Sequence, residues 1–172
     1  FFVWRTENRG KVIVKGVDAT LQLNQRLAPR HTLLLSANYS LQDAADRTSP
    51  TDNSYGKQSA YLPRHSGAAH LVWENPWLNC GLNFSGASSR WATNNHAPST
   101  RLSGYGELGL TCYRNFNLPT GVLKTSLSLH NLLNKNYEIV RRYPMPTRRF
   151  VITLTFSTTT LPSVGLTATT LP

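Results

Sequence analysis

The residues that could act as acids, bases or metal ligands are spread along the whole chain. The five histidines are His31, His65, His70, His96 and His130. Only eight acidic residues accompany them, and no short segment combines histidine, cysteine and carboxylate at the spacing of a metal site. Glycoside hydrolysis would need two carboxylates in one cleft, and the scattered acids do not indicate such a pair. The sequence therefore predicts no catalytic residue, no metal site and no cofactor.

The chain is strongly basic, and this charge limits the choice of partners. It has 18 Lys and Arg residues against 8 Asp and Glu residues, a formal net charge of +10. Such a balance suits nucleic acid, acidic lipid or anionic ligands. The basic residues are scattered in and beside candidate loops, and no nucleic-acid-binding motif accompanies them. We therefore expect no nucleic-acid partner, and we expect basic residues near strand ends to meet lipid phosphates.

Alternation of apolar and polar residues with a period of two is the strongest structural signal. Such a period places successive side chains on opposite faces of a sheet. One face is rich in leucine and the other in small polar residues, which is typical of a wall between lipid and a polar interior. The clearest apolar positions are Leu127, Leu129 and Leu133, followed by Phe150, Ile152, Leu154 and Phe156.

The same pattern recurs along the chain and predicts an all-β fold of about eight strands. No apolar run approaches the roughly 18 residues of a transmembrane helix, whereas a transmembrane strand needs only about ten alternating residues. We therefore predict an antiparallel transmembrane β-barrel segment, with a soluble sandwich or lipocalin-like barrel as the alternative. The further candidate strands lie at 17–27, 33–42, 66–74, 78–85 and 107–113, and less clearly at 1–8.

The candidate connections alternate in length along the chain. Short turns at 28–30, 75–76 and 116–121 alternate with long loops at 44–61 and 92–101 and a medium loop at 139–147. In an antiparallel meander, alternate connections lie at the same end of the sheet. Outer-membrane barrels have short periplasmic turns and longer extracellular loops, so this pattern favours the barrel.

The two cysteines are too few for a disulfide framework or a zinc site. If residue 91 pairs with residue 101 across the second long loop, every cross-strand pair in that hairpin sums to 192. Cys80 then faces Cys112 on the apolar side. Two outcomes are open: a pair of small lipid-facing hydrophobic residues, or a cross-strand disulfide formed in an oxidising envelope.

The C-terminal part of the chain contains three specific motifs: Asn131-Leu-Leu-Asn-Lys-Asn-Tyr-Glu138, Tyr143-Pro-Met-Pro-Thr-Arg148 and Phe150-Val-Ile-Thr-Leu-Thr-Phe156. Together they resemble the C-terminus of TonB-dependent outer-membrane receptors, and the resemblance extends loosely from about residue 8. It implies that residues 1–156 are the C-terminal portion of a barrel of roughly 22 strands. Residues 157–172, which contain Thr-Thr-Leu-Pro twice, are expected to form a tail.

The resemblance also implies partners and a location. Receptors of this family take up scarce nutrients such as siderophore iron, haem or cobalamin across the bacterial outer membrane, driven by TonB acting through a plug domain. The plug and roughly the first fourteen strands have no counterpart in this sequence, so we expect another chain to supply them. The alternative is a stand-alone eight-stranded barrel that acts as an adhesin or structural protein. Lipid or lipopolysaccharide and the barrel-assembly machinery are the remaining expected partners.

Within this resemblance, a few residues become candidates for specific roles. Phe150, Ile152, Leu154 and Phe156 would form the assembly signal of the last strand. His96, Arg90 and Arg101, in and beside the second long loop, are candidate ligand-binding residues, and His96 would be a haem-iron ligand if the receptor takes haem. His130 and Glu107 are expected to face the interior. Aromatic residues near strand ends are expected to form an interfacial girdle: Trp73, Trp77, Trp91, Tyr61 and Tyr143.

Overall fold

The computed structural model describes residues 10–158, which form eleven strands. Seven of them are long and form one sheet in the order β1-β2-β3-β4-β7-β8-β11. The short strands pair as β5 with β6 and as β9 with β10. The strands are β1 (Val12–Ala28), β2 (His31–Asp46), β3 (His65–Glu74), β4 (Asn79–Ala87), β5 (Arg90–Trp91), β6 (Arg101–Leu102), β7 (Tyr105–Leu118), β8 (Gly121–His130), β9 (Glu138–Val140), β10 (Tyr143–Pro144) and β11 (Arg149–Thr158).

Each long strand pairs antiparallel with the next long strand along the chain, so the sheet is a meander. This confirms the all-β antiparallel prediction. Of the eight expected strands, the candidate at 1–8 lies outside the described residues. Among residues 10–158, β1 and β11 are the two edges of the sheet.

The only helix between residues 10 and 158 is a short 3-10 turn at Pro98–Thr100. No helix in this part of the chain is long and apolar enough to cross a membrane.

The register aligns the apolar positions of all seven long strands on one side, which we call the apolar face. One row crosses the whole sheet through directly paired residues: Leu23, Leu35, Leu71, Leu82, Leu110, Leu129 and Phe150. The row one residue away is on the opposite side, the polar face, and contains Gln22, Ser36, His70, Asn83 and Gly109. None of the seven residues in the apolar row is buried: Leu23, Leu82 and Phe150 are exposed, and the other four are half-buried. These apolar side chains therefore point outward and are not enclosed in a core.

The buried hydrophobic residues of the described chain lie at the long-loop end of the sheet. Ala44, Ala45, Leu102 and Tyr137 are its buried hydrophobic residues, and all of them lie in or beside loops. A soluble sandwich would place its leucines between two layers. The absence of such a layer among residues 10–158 supports the barrel interpretation over the soluble one.

The connections alternate between short and long as predicted, but the last one, expected to be a medium loop at 139–147, is longer and spans 131–148. Turns at 29–30, 75–78 and 119–120 lie at one end of the sheet, the short-turn end. At the other end are the first long loop (47–64), the second long loop (88–104) and the third long loop (131–148). The second long loop contains the small β5–β6 ladder, which includes the 91–101 pair considered in the sequence analysis. The third contains the β9–β10 ladder, which the sequence pattern did not indicate.

Several predicted boundaries were wrong because strand pairing continues into segments that look like loops. β2 runs to Asp46 because its last residues pair with the start of β1, so the first long loop begins at 47 instead of 44. The expected turn at 116–121 contains only residues 119–120 because Leu118 still pairs with Gly121.

Near the end of the chain, two further boundaries differ from the expected ones. Leu133 is not part of a strand: β8 ends at His130, and Asn131 has a left-handed backbone with φ of 49°. β11 ends at Thr158, two residues beyond the expected Phe156. Residues 159–172, most of the expected tail, lie outside the described residues.

Cys80 and Cys112 are directly opposite one another on β4 and β7 and form a disulfide. Trp91 pairs with Arg101 across the second long loop, as the predicted sum of 192 requires. The register prediction is therefore confirmed, and the disulfide is the correct choice between the two open outcomes.

Candidate functional site

The first and second long loops are joined by hydrogen bonds into one layer. The Lys57 ammonium donates to the backbone oxygen of Asn95 at 2.9 Å, and the Ala60 amide donates to the Asn94 side-chain oxygen at 2.7 Å. A backbone bond of 2.7 Å from the Tyr61 amide to the Trp91 oxygen adds a third connection. Each contact joins residues at least 30 positions apart along the chain, so together they fix the position of one loop relative to the other.

Gln58 holds the first long loop against β2 of the seven-stranded sheet. Its side chain is 6% exposed, and its oxygen accepts a 2.8 Å hydrogen bond from the Ala44 amide on β2. Its amide nitrogen donates to the Gln42 oxygen at 3.3 Å. A buried amide must satisfy its donors and acceptor, so these bonds fix the point at which the loop folds back onto β2.

His96, a predicted ligand candidate, lies between the first two long loops. Its Nε2 donates a 2.7 Å hydrogen bond to the Gln58 backbone oxygen, and its ring stacks on Trp91 with centroids 5.0 Å apart. A metal bound at Nε2 would have to break this hydrogen bond. In this structure, Nε2 of His96 therefore connects the second long loop to the first.

Arg90, the second candidate, is 4% exposed and connects the second long loop to the third. One guanidinium nitrogen, Nη2, donates to the backbone oxygens of Glu138 at 3.0 Å and Ile139 at 2.9 Å. The guanidinium lies 5.6 Å from the centre of the Tyr105 ring, a cation–π arrangement. The other nitrogen, Nη1, is buried and has no hydrogen-bond partner among the described residues.

Arg101, the third candidate, has different surroundings. It lies on β6 with an exposed side chain, and the one side-chain hydrogen bond that it makes among the described residues is a long contact of 3.5 Å to the Ser89 hydroxyl. It shares no hydrogen-bond partner with Arg90 or His96. The three predicted candidates therefore lie in one loop region but do not form a single cluster.

Tyr137 connects the third long loop to β7 of the seven-stranded sheet. Its hydroxyl donates to the Glu107 carboxylate on β7, and its ring stacks on Tyr105 with centroids 4.4 Å apart. Burial raises the pKa of Tyr137 well above its usual range, and the hydrogen bond to Glu107 raises it further. In the sequence analysis, Tyr137 belongs to the 131–138 motif and Glu107 is expected to face the interior. No sequence signal indicated that the two side chains are in contact.

The polar face lines a concave surface with a volume of about 580 Å³. Glu107 and His130 both line it, which confirms the prediction that they face inward. The His70 ring and the Asn83 amide, from neighbouring strands, are hydrogen-bonded to one another there. Within residues 10–158, no group of three or more His, Cys, Asp or Glu residues is arranged to hold a metal ion.

Comparison with protein families identifies the family to which this sheet belongs. The family model described as TonB dependent receptor-like, beta-barrel matches residues 1–134. The chain belongs to this family. The comparison with curated proteins found no match.

TonB-dependent receptors are transport proteins of the bacterial outer membrane rather than enzymes, and as a family they work with a plug domain and with TonB. The match covers β1 to β8 and the first residues of the third long loop. β11 lies beyond it and is placed in the receptor barrel by its ten directly paired residues on β8.

In this receptor barrel, β11 carries the four residues expected to form the assembly signal. Phe150, Ile152 and Leu154 are exposed on the apolar face, and Phe156 lies on the same face opposite Leu123. β11 is also an edge of the described sheet. The four side chains therefore form a regular apolar stripe on the last strand of the described sheet.

Aromatic side chains cluster at the short-turn end of the receptor barrel. The His31 ring stacks on Trp73 at 5.9 Å and meets Trp77 edge-on at 5.4 Å. Trp77 is 63% exposed, and Tyr143 at the opposite end of the sheet is 70% exposed. This placement at the two ends suits an interfacial girdle, in which amphipathic rings lie at headgroup depth.

Proposed function

We propose that this chain forms part of the outer-membrane wall of a TonB-dependent receptor that takes up a scarce nutrient such as siderophore iron, haem or cobalamin. The supporting observation is the row of seven paired apolar residues that crosses every long strand from Leu23 to Phe150. Side chains of this kind are stable facing outward only where the surroundings are apolar, as they are among lipid acyl chains. The polar face then looks into the lumen, toward the plug.

The orientation follows from the lengths of the connections. Outer-membrane barrels keep short turns in the periplasm and long loops outside the cell. We assign the three long loops to the extracellular side and the turns at 29–30, 75–78 and 119–120 to the periplasmic side. Lipid or lipopolysaccharide contacts the apolar face and the basic residues near the strand ends.

Among residues 10–158, the edges formed by β1 and β11 point to further strands. Backbone groups left unpaired in lipid cost several kcal/mol each, so β1 and β11 need partners in a membrane. Those partners belong to the remainder of a larger barrel, whether they come from this chain or from another one. A stand-alone eight-stranded adhesin remains the alternative.

The loop contacts suggest how the three candidate residues divide their roles. His96 and Arg90 are engaged with backbone oxygens of neighbouring loops, so their role is to position those loops. Arg101 is exposed and is the candidate best placed to contact an anionic nutrient directly. TonB acts on the receptor through the plug, at the periplasmic side.

The orientation can be tested by inserting one short epitope into the first long loop between Asp52 and Asn53, or into the turn at Pro119 and Thr120. We expect antibody to bind intact cells with the loop insertion, and to bind cells with the turn insertion only after the outer membrane is permeabilised. Antibody binding to the turn epitope on intact cells, or recovery of the protein without detergent, would contradict the proposal.

Transport can be tested separately with the complete receptor. Uptake of ferric siderophores, haem and cobalamin is measured in cells with and without functional TonB. We expect one nutrient class to depend on both the receptor and TonB, and replacement of Arg101 by Ala to lower its uptake without lowering the amount of inserted receptor. Uptake that is independent of TonB would contradict the transport role but would leave the orientation result unaffected.

A further inference from the structure

The Cys80–Cys112 disulfide lies on the outward, apolar face of the sheet. In the same cross-strand row, Trp73 precedes Cys80 and Leu127 follows Cys112. The next outward residues on β4 and β7 are Leu82 and Leu110, which pair with one another. The two sulfur atoms therefore lie within a field of apolar side chains.

This location determines when the disulfide can form. Thiol–disulfide exchange begins with attack by a thiolate, and an apolar environment disfavours the thiolate. A water-soluble oxidant also has no access to a face covered by acyl chains. If this face is in lipid, as the proposed function states, the inserted protein cannot readily be oxidised at these positions.

We propose that Cys80 and Cys112 are oxidised in the periplasm before the barrel inserts, by a disulfide-donating thiol oxidase of that compartment. The chain is therefore a substrate for periplasmic disulfide formation as well as for barrel assembly. The inference rests on the proposed membrane orientation of the apolar face. Insertion then encloses the finished disulfide in lipid, where water-soluble reductants do not reach it.

In the formation of the Cys80–Cys112 bond, the disulfide of the oxidase accepts the electrons. The thiolate of one cysteine attacks the oxidase disulfide to form a mixed disulfide and releases one oxidase thiolate. The thiolate of the second cysteine then displaces the remaining oxidase sulfur and completes the Cys80–Cys112 bond. The two substrate thiols lose two electrons and two protons, and the oxidase disulfide is reduced to a dithiol.

The bond also defines the hairpin that enters the membrane. It joins β4 to β7 and encloses the second long loop, whose ends are held by the Trp91–Arg101 pair. Adjacent strands that slipped by two residues would no longer place the sulfur atoms opposite one another. A covalent link at this point therefore favours the native register before the neighbouring strands pair.

The test follows the redox state of the complete receptor during assembly. Newly made protein is pulse-labelled, quenched with acid and alkylated with a maleimide carrying a large polymer. We expect the disulfide to be present in the uninserted, urea-extractable pool, and at least tenfold less of it in cells that lack the periplasmic thiol oxidase. Free thiols in the uninserted pool that become oxidised only after insertion would overturn the inference, as would free thiols in the mature receptor.

Two single-cysteine variants test the orientation independently. Cys80→Ser leaves Cys112 on the apolar face. Thr111→Cys combined with Cys80→Ser and Cys112→Ser places the only thiol one residue away on the polar face, where Thr111 lines the concave surface. In intact outer membranes, a membrane-impermeant maleimide should label residue 111 at least tenfold faster than residue 112, and detergent-induced unfolding should remove the difference.

The two sets of results separate the two proposals. Equal labelling of residues 111 and 112 in intact membranes would contradict the lipid-facing assignment, and with it the reason for early oxidation. Protection of residue 112 together with late oxidation of the native pair would overturn only the timing inference, because the proposed orientation would still hold.

Discussion

The Tyr137 hydroxyl in the third long loop donates a hydrogen bond to the Glu107 carboxylate on β7. This contact connects a loop assigned to the cell exterior with the polar face of the wall. Tyr105 stacks on the same tyrosine, and Arg90 lies over Tyr105. The four side chains form a continuous polar and aromatic link between the second and third long loops and the wall.

The Tyr137 contact should persist throughout the physiological pH range. Burial and the Glu107 carboxylate raise the pKa of this phenol in the folded state, so its stabilising effect is complete below the unfolded value of about 10 and is lost only as pH rises through the higher folded value. We expect wild type and Tyr137→Phe to ionise the same number of tyrosines up to about pH 11, as measured by tyrosinate absorbance. One additional tyrosine ionising near pH 10 in wild type would contradict this assignment.

The same substitution should destabilise the receptor wall. Hydrogen bonds to charged groups contribute about 1.5–3 kcal/mol, so Tyr137→Phe should lower the free energy of unfolding by about that amount. Urea titration of the refolded receptor measures the change, and the effect should be the same at neutral and mildly alkaline pH. Tyr143→Phe is the matched control, because Tyr143 is 70% exposed and should have little effect.

Replacement of Arg90 by Ala should release the third long loop. The guanidinium donates to two backbone oxygens of that loop, and charge-assisted bonds of this kind contribute about 1.5–3 kcal/mol. About 1.4 kcal/mol corresponds to a tenfold change in an opening equilibrium, so trypsin should cleave after Arg141 or Arg142 at least tenfold faster. Arg101→Ala is the control, because the exposed Arg101 makes only a long contact to Ser89. Equal cleavage of the two variants would show that Arg90 does not hold this loop.

The orientation of most strand residues could be predicted because a period of two is a local property. Once Leu82 is outward, Asn83 must be inward, and pairing then aligns each strand with its neighbours. Even the single apolar exception in β2, Leu34, fits this rule, because it pairs with Val72 on the polar face. The disulfide register followed from the same logic, applied to one short loop.

The loop contacts could not be predicted because most of them involve backbone atoms. Arg90 binds the backbone oxygens of Glu138 and Ile139, which lie 48 and 49 positions further along the chain, and every residue type provides such an oxygen. The backbone oxygen of Gln58 that accepts the hydrogen bond from His96 likewise cannot be predicted from a sequence pattern. An arginine and a histidine near a loop were therefore predicted as ligand-binding candidates, whereas their hydrogen bonds to backbone oxygens of neighbouring loops gave no sequence signal.

A positive charge should be tolerated on the polar face and not on the apolar face. Leu127 is outward and 42% exposed, whereas the adjacent Ser126 is on the polar face opposite Tyr113 and Thr153. Lys near the bilayer midplane costs about 2–4 kcal/mol on a lipid-facing surface. We expect Leu127→Lys to lower the free energy of unfolding in lipid vesicles by up to that amount, and Ser126→Lys to change it by less than about 1 kcal/mol. A larger loss for Ser126→Lys would reverse the assignment of the two faces.

Loss of the apolar stripe on β11 should prevent insertion. The four side chains share one face of β11, which is an edge strand of the described sheet. We therefore expect the assembly machinery to bind them only when this edge and this face are accessible at the same time. The test variant replaces all four by Ser: Phe150, Ile152, Leu154 and Phe156. The matched control replaces the intervening polar-face residues by Ser: Val151, Thr153 and Thr155. We expect the test variant to lower the receptor recovered in the outer membrane at least tenfold, with little change in the control. Normal insertion of the test variant would exclude this stripe as the assembly signal, and equal loss in both variants would indicate that strand pairing alone is responsible.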